Sequence, residues 1–219
     1  MTLLATVSGQ YPKTERSPAF TLIANITDTS KLGIFSDPIQ HWPLDDIHTG
    51  AARNTAVLRS DSRNLFFVNG TAEQEAAMNT TVRLPPLMCS YGQDPDSNGV
   101  MFGQSTIKAT GYVGINNGGA HQGAGIFNSF QSPYPALYAP EPFRSLKWMV
   151  CNQSEHDHDL PQYAVKQAEE VPENCAEMVL LAQCATLRPL PLLNVTQWGW
   201  NVREVDCYSN VSAIDWDAF

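Results

Sequence analysis

The sequence predicts an all-β protein, an antiparallel β-sandwich or flattened barrel with little helix. Three observations lead there. Only 16% of the 219 residues are charged, against 43% hydrophobic, which is the wrong balance for helical bundles or coiled coils. Fifteen Pro and 14 Gly punctuate the chain. Between them lie about ten or more short runs rich in β-branched and aromatic residues, the pattern of two packed sheets. The length suits one sizeable core, read as one domain over 18–219 behind a loose start at 1–17.

Residues 19–27, rich in Ile, Thr and Phe and ended by Asp28-Thr29-Ser30, read as the first strand. Trp42 to Gly50 is a second extended piece. Asn54 to Arg59 and Asn64 to Asn69 flank the polar Ser60-Asp61-Ser62-Arg63, which predicts a hairpin with a four-residue connection. Phe66, Phe67 and Val68 are continuously apolar, so that strand should be covered on both faces. Ala72 to Met78 suits one or two helical turns, because Glu and Ala are good formers. Thr81 to Leu84 alternates as a strand until Pro85-Pro86 stops it.

Further strands are predicted at Val100 to Phe102, Thr106 to Ile115 and Gly125 to Phe130, the last two separated by the densest glycine run in the chain. Pro133 to Phe143 reads as an aromatic, proline-stiffened loop. Lys147 to Asn152, Gln162 to Lys166, Glu177 to Thr186 and Gln197 to Tyr208 supply four more strands. In the last, Trp198, Trp200 and Val202 share one apolar face at period two.

Four of the five cysteines, Cys151, Cys175, Cys184 and Cys207, fall in the last third, without zinc spacing, and read as disulfides of an oxidising compartment. Of the three pairings that four cysteines permit, the sequential one, Cys151 to Cys175 and Cys184 to Cys207, closes local loops between neighbouring strands. Cys89 then reads as a free, buried thiol. Six Asn-x-Ser/Thr sequons, at Asn25, Asn69, Asn79, Asn152, Asn194 and Asn210, exceed the roughly two expected from composition. Met1 to Gly9 reads as the remnant of a trimmed signal peptide. Together these predict passage through the secretory pathway.

Twenty-two acidic against 13 basic residues give a net charge of -9, which repels nucleic-acid phosphates and anionic lipid. Met178 to Ala182 is among the longest apolar runs and falls far short of the roughly 20 residues that span a bilayer. Motifs for covalent, metal or cofactor chemistry are missing. There is no Gly-x-Ser-x-Gly, the glycine run fits neither phosphate-binding pattern, and the cluster from Glu155 to Asp159 fails cupin spacing and reads as a solvated loop. Asp45/Asp46 beside a proline turn and Asp215/Asp217 in a terminal tail are weak candidates for paired glycosidase carboxylates. The remaining feature is an abundance of aromatics near glycine and proline loops. They suit either a packed core or a pocket for small apolar molecules in which His121, Gln122, Asn117 and Arg53 orient the ligand.

Several stretches resemble a family of small secreted glycoproteins of filamentous fungi. They are Leu22 to Asp28, Trp42 to Ala51, Phe66 to Thr71, Gly114 to Asn116, Val150 to Asn152, Pro172 to Cys175 and Gln183 to Leu187, so that the resemblance covers about residues 18 to 208. It implies a β-rich secreted fold without assigned function in most members. In a few it implies a cofactor-independent hetero-Diels-Alderase that joins a tropolone ortho-quinone methide to a humulene-type sesquiterpene. Such a reaction needs two apolar partners held in one orientation, and proximity contributes on the order of 7–11 kcal/mol. On that reading His121, Gln122, Asn117 and Arg53 are the donors to the quinone-methide oxygen, and Trp198, Trp200, Tyr134 and Tyr138 are the walls. The alternative is a non-catalytic secreted carrier of apolar ligands or a cell-surface binding module.

Overall fold

The computed structural model describes residues 11–50, 53–83, 99–104, 111–116, 120–129, 132–153, 162–186 and 201–216. The fold is all-β and built from antiparallel strands, with the main sheet curled into a half-barrel. Strands β1 (Glu15–Ser17), β2 (Ala19–Ile26), β3 (Leu44–Gly50), β4 (Arg53–Leu58) and β5 (Phe67–Asn69) precede α1 (Ala72–Ala76). Then come β6 (Thr81–Arg83), β7 (Gly99–Gln104), β8 (Gly111–Asn116), β9 (Gly125–Ser129) and β10 (Ser132–Tyr138). The last group is β11 (Lys147–Gln153), β12 (Gln162–Ala168), β13 (Cys175–Ala185), β14 (Val202–Arg203) and β15 (Val205–Cys207). Three residues of the expected loose start form β1, which pairs with β15.

Around the curl the strands follow the order β14, β5, β6, β7, β8, β4, β12, β11, β13, β10, β9, with β2 paired along β13 and β3 along β4. Alternation sorts the side chains. Phe20, Leu22, Ala24 and Ile26 of β2 and Ala176, Met178, Leu180 and Ala182 of β13 face the main interior, joined there by Tyr163 and Val165 of β12. Burying one such large side chain contributes about 1.5–3 kcal/mol, so this row of facing residues stabilises the fold substantially. On the other face, Ile23, Leu181, Ala136, Tyr208 and Val211 form a second cluster under the C-terminal segment. Phe66, Phe67 and Val68 are buried, as their continuous apolar run predicts.

The one α-helix among the described residues starts where its sequence dictates. Thr71 Oγ1 accepts the Gln74 amide while Gln74 Oε1 accepts the Thr71 amide, a reciprocal cap that satisfies two otherwise unpaired donors. Glu75 then pairs with Arg203, holding β14 against the helix. Both expected disulfides are present, Cys151 to Cys175 and Cys184 to Cys207. Cys89 lies outside the described residues.

Three expectations are corrected. The hairpin between 54–59 and 64–69 does not form: β4 pairs with β3, β12 and β8, while β5 pairs with β6 and β14. The cause is local, because Ser62 Oγ donates to the Leu44 carbonyl and Asn64 Nδ2 donates to Asp45 and Asp46, folding the connection back onto β3. The expected loop at 133–143 begins as β10, and its prolines at 133 and 135 sit where the register shifts between Ser132 and Ala136. The expected strand at 197–208 is two short strands in different sheets, β14 on β5 and β15 on β1, over its described part.

Candidate functional site

His121 stands on the segment between β8 and β9, and local geometry fixes it there. Its amide donates to the Val100 carbonyl at 3.0 Å, and the Phe102 amide donates to His121 Nδ1 at 2.8 Å. The imidazole thus takes the place of a strand neighbour for β7. Two residues on, Gly123 adopts φ +88, and a Cβ there would lie 2.7 Å from Pro140 Cβ. Glycine is therefore required for the turn that presses this segment against 140. Thr80 holds the same turn from the other side, its carbonyl accepting the Gly123 amide at 2.7 Å and its hydroxyl donating to the Ala124 carbonyl at 2.7 Å.

Four rings meet at this place. Phe102 stacks on His121 with centroids 5.9 Å apart and on Phe143 at 5.8 Å, His121 lies 5.7 Å from Phe143, and Trp148 meets Phe102 edge to face at 5.8 Å. Because Nδ1 accepts the Phe102 amide, the ring proton of the neutral imidazole is on Nε2. The group combines apolar aromatic faces with one hydrogen-bond donor, the composition of a small-molecule site. Beside it on the interior face of β12 is Gln167, 1% exposed, whose Nε2 and Oε1 both lack a hydrogen-bond partner.

Of the residues predicted to orient a ligand, His121 alone is shown within this group. Gln122 is exposed. Arg53 opens β4 by its backbone, and its side chain, with Asn117, Trp198 and Trp200, lies outside the described residues. Tyr134 belongs to the second cluster, where its ring meets Trp216 at 5.4 Å and Tyr11 at 5.9 Å. Tyr138 packs on Phe127 at 5.6 Å with Arg144 over its ring at 4.9 Å, and burial pushes its phenol up, opposed by the Arg144 charge. The structure places Phe102 and Phe143 against His121, with Trp148 on Phe102, and places Tyr134 and Tyr138 elsewhere. Sequence reasoning missed Phe102, Phe143, Trp148 and Gln167. The only available signal was the period-two alternation of Tyr163, Val165 and Gln167, which puts the amide on an apolar face.

Asp45 and Asp46 form a clasp on the β3–β4 hairpin. Asn64 Nδ2 donates to Asp45 at 2.9 Å and to Asp46 at 2.8 Å, the Asp46 amide donates to Asp45, and Asn54 donates to Asp46. Burial raises the Asp45 carboxyl, while the backbone bond and Arg59, 3.6 Å away, oppose it. These bonds tie the carboxylates to the chain, as a structural clasp requires. Among the described residues no group of three His, Cys, Asp or Glu side chains is arranged to hold a metal ion, and no helix is long and apolar enough to cross a membrane.

No solved structure matches the chain. The chain is 28% identical over 226 residues to antigenic protein SchS34 of the fungus Stachybotrys chartarum, covering 95% of this chain and 94% of that protein. A family described as a domain of unknown function, DUF7907, matches residues 17–184, a span that takes in β2 through all but the last residue of β13 and with them His121, its ring neighbours and Gln167. The chain belongs to this DUF7907 family.

Proposed function

We propose that the protein binds a small, largely apolar molecule at the end of the half-barrel formed by Phe102, His121, Phe143 and Trp148. The observation that carries this reading is the placement of His121, whose Nδ1 is held by the Phe102 amide, leaving the proton on Nε2 of a ring that packs against Phe102 and Phe143, with Trp148 in turn against Phe102. Aromatic faces supply dispersion and desolvation, and a single oriented donor fixes which way a ligand lies. The two disulfides support action in an oxidising, secreted setting, and the name of the Stachybotrys relative as an antigenic protein accords with that. Titration with naphthalene, read by calorimetry and by tryptophan emission, tests the reading. Saturable binding that weakens in Phe143→Ala supports it, and heat of dilution alone overturns it.

The finer form of the proposal is the hetero-Diels-Alder cycloaddition implied by the family resemblance. What supports it is chemical economy: the reaction asks for enclosure of two apolar partners and one donor to a developing oxyanion, with no covalent nucleophile. Purified protein mixed with a tropolone quinone-methide precursor and a hydroxylated humulene should raise the yield and enantiomeric excess of one adduct. Product equal in amount and stereochemistry to the protein-free control leaves the non-catalytic carrier as the function.

A further inference from the structure

Gln167 is a polar side chain in a place where none is needed for folding. Its strand pairs with β11 over seven consecutive positions without a register shift, so its orientation follows that of Val165 and Tyr163, which face the main interior. Across the sheet, its partners are Trp148 on β11 and Gly111 on β8, and Gly111 in turn pairs with Gln104 on β7. Glycine adds no side chain to that row. Trp148 leads directly to the ring group, through its 5.8 Å contact with Phe102. The amide and His121 therefore belong to one end of the same interior.

Burying an amide without hydrogen bonds destabilises the fold, and a leucine would remove that cost. Most buried polar side chains find partners, so an orphan of this kind requires an explanation. The two other orphans among the described residues, Thr21 Oγ1 and His41 Nε2, are single atoms, whereas Gln167 lacks a partner for both its donor and its acceptor. A ligand that satisfies both must present an acceptor and a donor along one edge. It must also be neutral, since an ionised group beside an uncharged amide in this interior would keep most of its desolvation penalty.

We propose that Gln167 is the polar anchor of the ligand site, and that the ligand is a neutral, mostly apolar ring compound carrying a hydrogen-bond donor and acceptor side by side, as a lactam does. The proposal rests on the small-molecule reading of the His121 end of the barrel. It is tested with three probes of similar size: naphthalene, 2-quinolinone, which carries both groups, and N-methyl-2-quinolinone, which has lost the donor. Wild-type protein should bind 2-quinolinone at least about tenfold more tightly than its N-methyl analogue, because a buried polar group left unpaired discriminates strongly. In Gln167→Leu the preference should shrink to within about twofold while naphthalene still binds, and the ligand-free variant should melt higher than wild type. Gln167→Met, which matches the length of the side chain, is carried in parallel so that a packing defect in the leucine variant is recognised. Equal binding of the two quinolinones to wild type, as expected if ordered water alone fills the site, overturns the assignment. So does a preference that survives both substitutions, which would trace it to the bulk of the added methyl. Failure of all three probes, naphthalene included, removes the small-molecule reading itself.

Discussion

The main chains of Phe20 and Phe66 exchange two hydrogen bonds, 3.0 and 2.7 Å long, while their rings stack with centroids 6.2 Å apart. Phe20 is in β2, which pairs with β13 towards one end of the strand order, and Phe66 immediately precedes β5, beside β14 at the other end. This contact ties the two flanks of the curled sheet. Phe66→Ala removes a fully buried ring from the seam and should cost about 3–5 kcal/mol. Urea denaturation measures it, and a loss under about 1 kcal/mol would mean that the seam carries little of the fold.

The two disulfides should behave differently. Cys151 and Cys175 are direct partners in a ladder between β11 and β13, which hydrogen bonds also hold together. Cys184 joins the end of β13 to Cys207 of β15, whose ladder partner is the three-residue β1 and which is tied to β13 through Tyr208 by two backbone bonds, Cys184 amide to Tyr208 carbonyl and Tyr208 amide to Ala182 carbonyl. Each double Cys→Ala variant should lose about 2–4 kcal/mol. Hydrogen exchange should separate them: only loss of the Cys184 bond should expose the amides of β15 and of 208–214 while β13 stays protected. Equal protection of β15 in both variants would contradict this.

Two rings, the buried Tyr208 and the half-buried His41, give stability a pH dependence at opposite ends of the range. Burial, with a smaller contribution from Tyr134, pushes the Tyr208 phenol up to about 12 from an ordinary 10.0. Ionisation therefore favours the unfolded chain, and stability should fall as pH rises from 10 towards 12. At the acid end, burial lowers His41 below its ordinary 6.5, so protonation also favours unfolding and stability should fall as pH drops below that value. Tyr208→Phe should flatten the alkaline limb alone, and His41→Gln the acid limb in the window just below 6.5. Unfolding free energies across both ranges check this. An alkaline limb unchanged in Tyr208→Phe would clear that ring of the effect.

Glycan occupancy follows from what each asparagine amide is doing. Asn25 is 8% exposed within the β2 ladder, and its Oδ1 accepts from Gln40, so a glycan there would have to displace that packed side chain. By sequence Asn69 and Asn152 both sit where strands run into turns, which predicts that both accept a sugar, but Asn152 uses Nδ2 itself to donate to the Ile34 carbonyl, and Asn69 is half-buried in β5 with its Oδ1 accepting the Asn201 amide. Asn79 and Asn210 are exposed, and the bonds that Asn210 makes, from the Ser212 amide and hydroxyl, engage its Oδ1 and not the Nδ2 to which a sugar attaches. In protein secreted from a eukaryotic host, these two should be occupied and Asn25 empty. Peptide mapping that finds sugar on Asn25 refutes the ordering.

The parts of this fold that can be read from sequence are those where one strand face meets the interior. Alternation at 19–26 exposes Phe20, Leu22 and Ile26 as a row, and the run from 66 to 68 announces burial on both sides. The partner of β4 cannot be read this way, because it depends on Ser62 and Asn64 reaching back some 18 or 19 residues to β3. Prolines 133 and 135 disguise β10 for a similar reason, since only the bulge in its pairing accommodates them. At the candidate site His121 is conspicuous within a glycine run. Its neighbours arrive from 102, 143 and 148, and Gln167 looks like an ordinary polar strand residue until the curl closes over it.

His121 has two tasks that substitution can separate. Nδ1 supports the fold by accepting the Phe102 amide, and the ring packs on Phe102 and Phe143. Nε2 carries the proton offered to a ligand under the proposed function. Asparagine places an oxygen near the position of Nδ1 but has nothing at Nε2, whereas alanine loses both. His121→Ala should therefore lower stability by about 1–3 kcal/mol through the unpaired Phe102 amide and the lost packing, whereas His121→Asn should recover roughly half or more of that. If Nε2 orients the ligand, both variants should weaken 2-quinolinone binding by a similar factor of about 5–10, and any cycloaddition should lose enantiomeric excess equally in both. Binding that follows stability instead, weakened in the alanine variant and restored in the asparagine variant, would assign His121 to the fold and leave Gln167 as the polar group of the site.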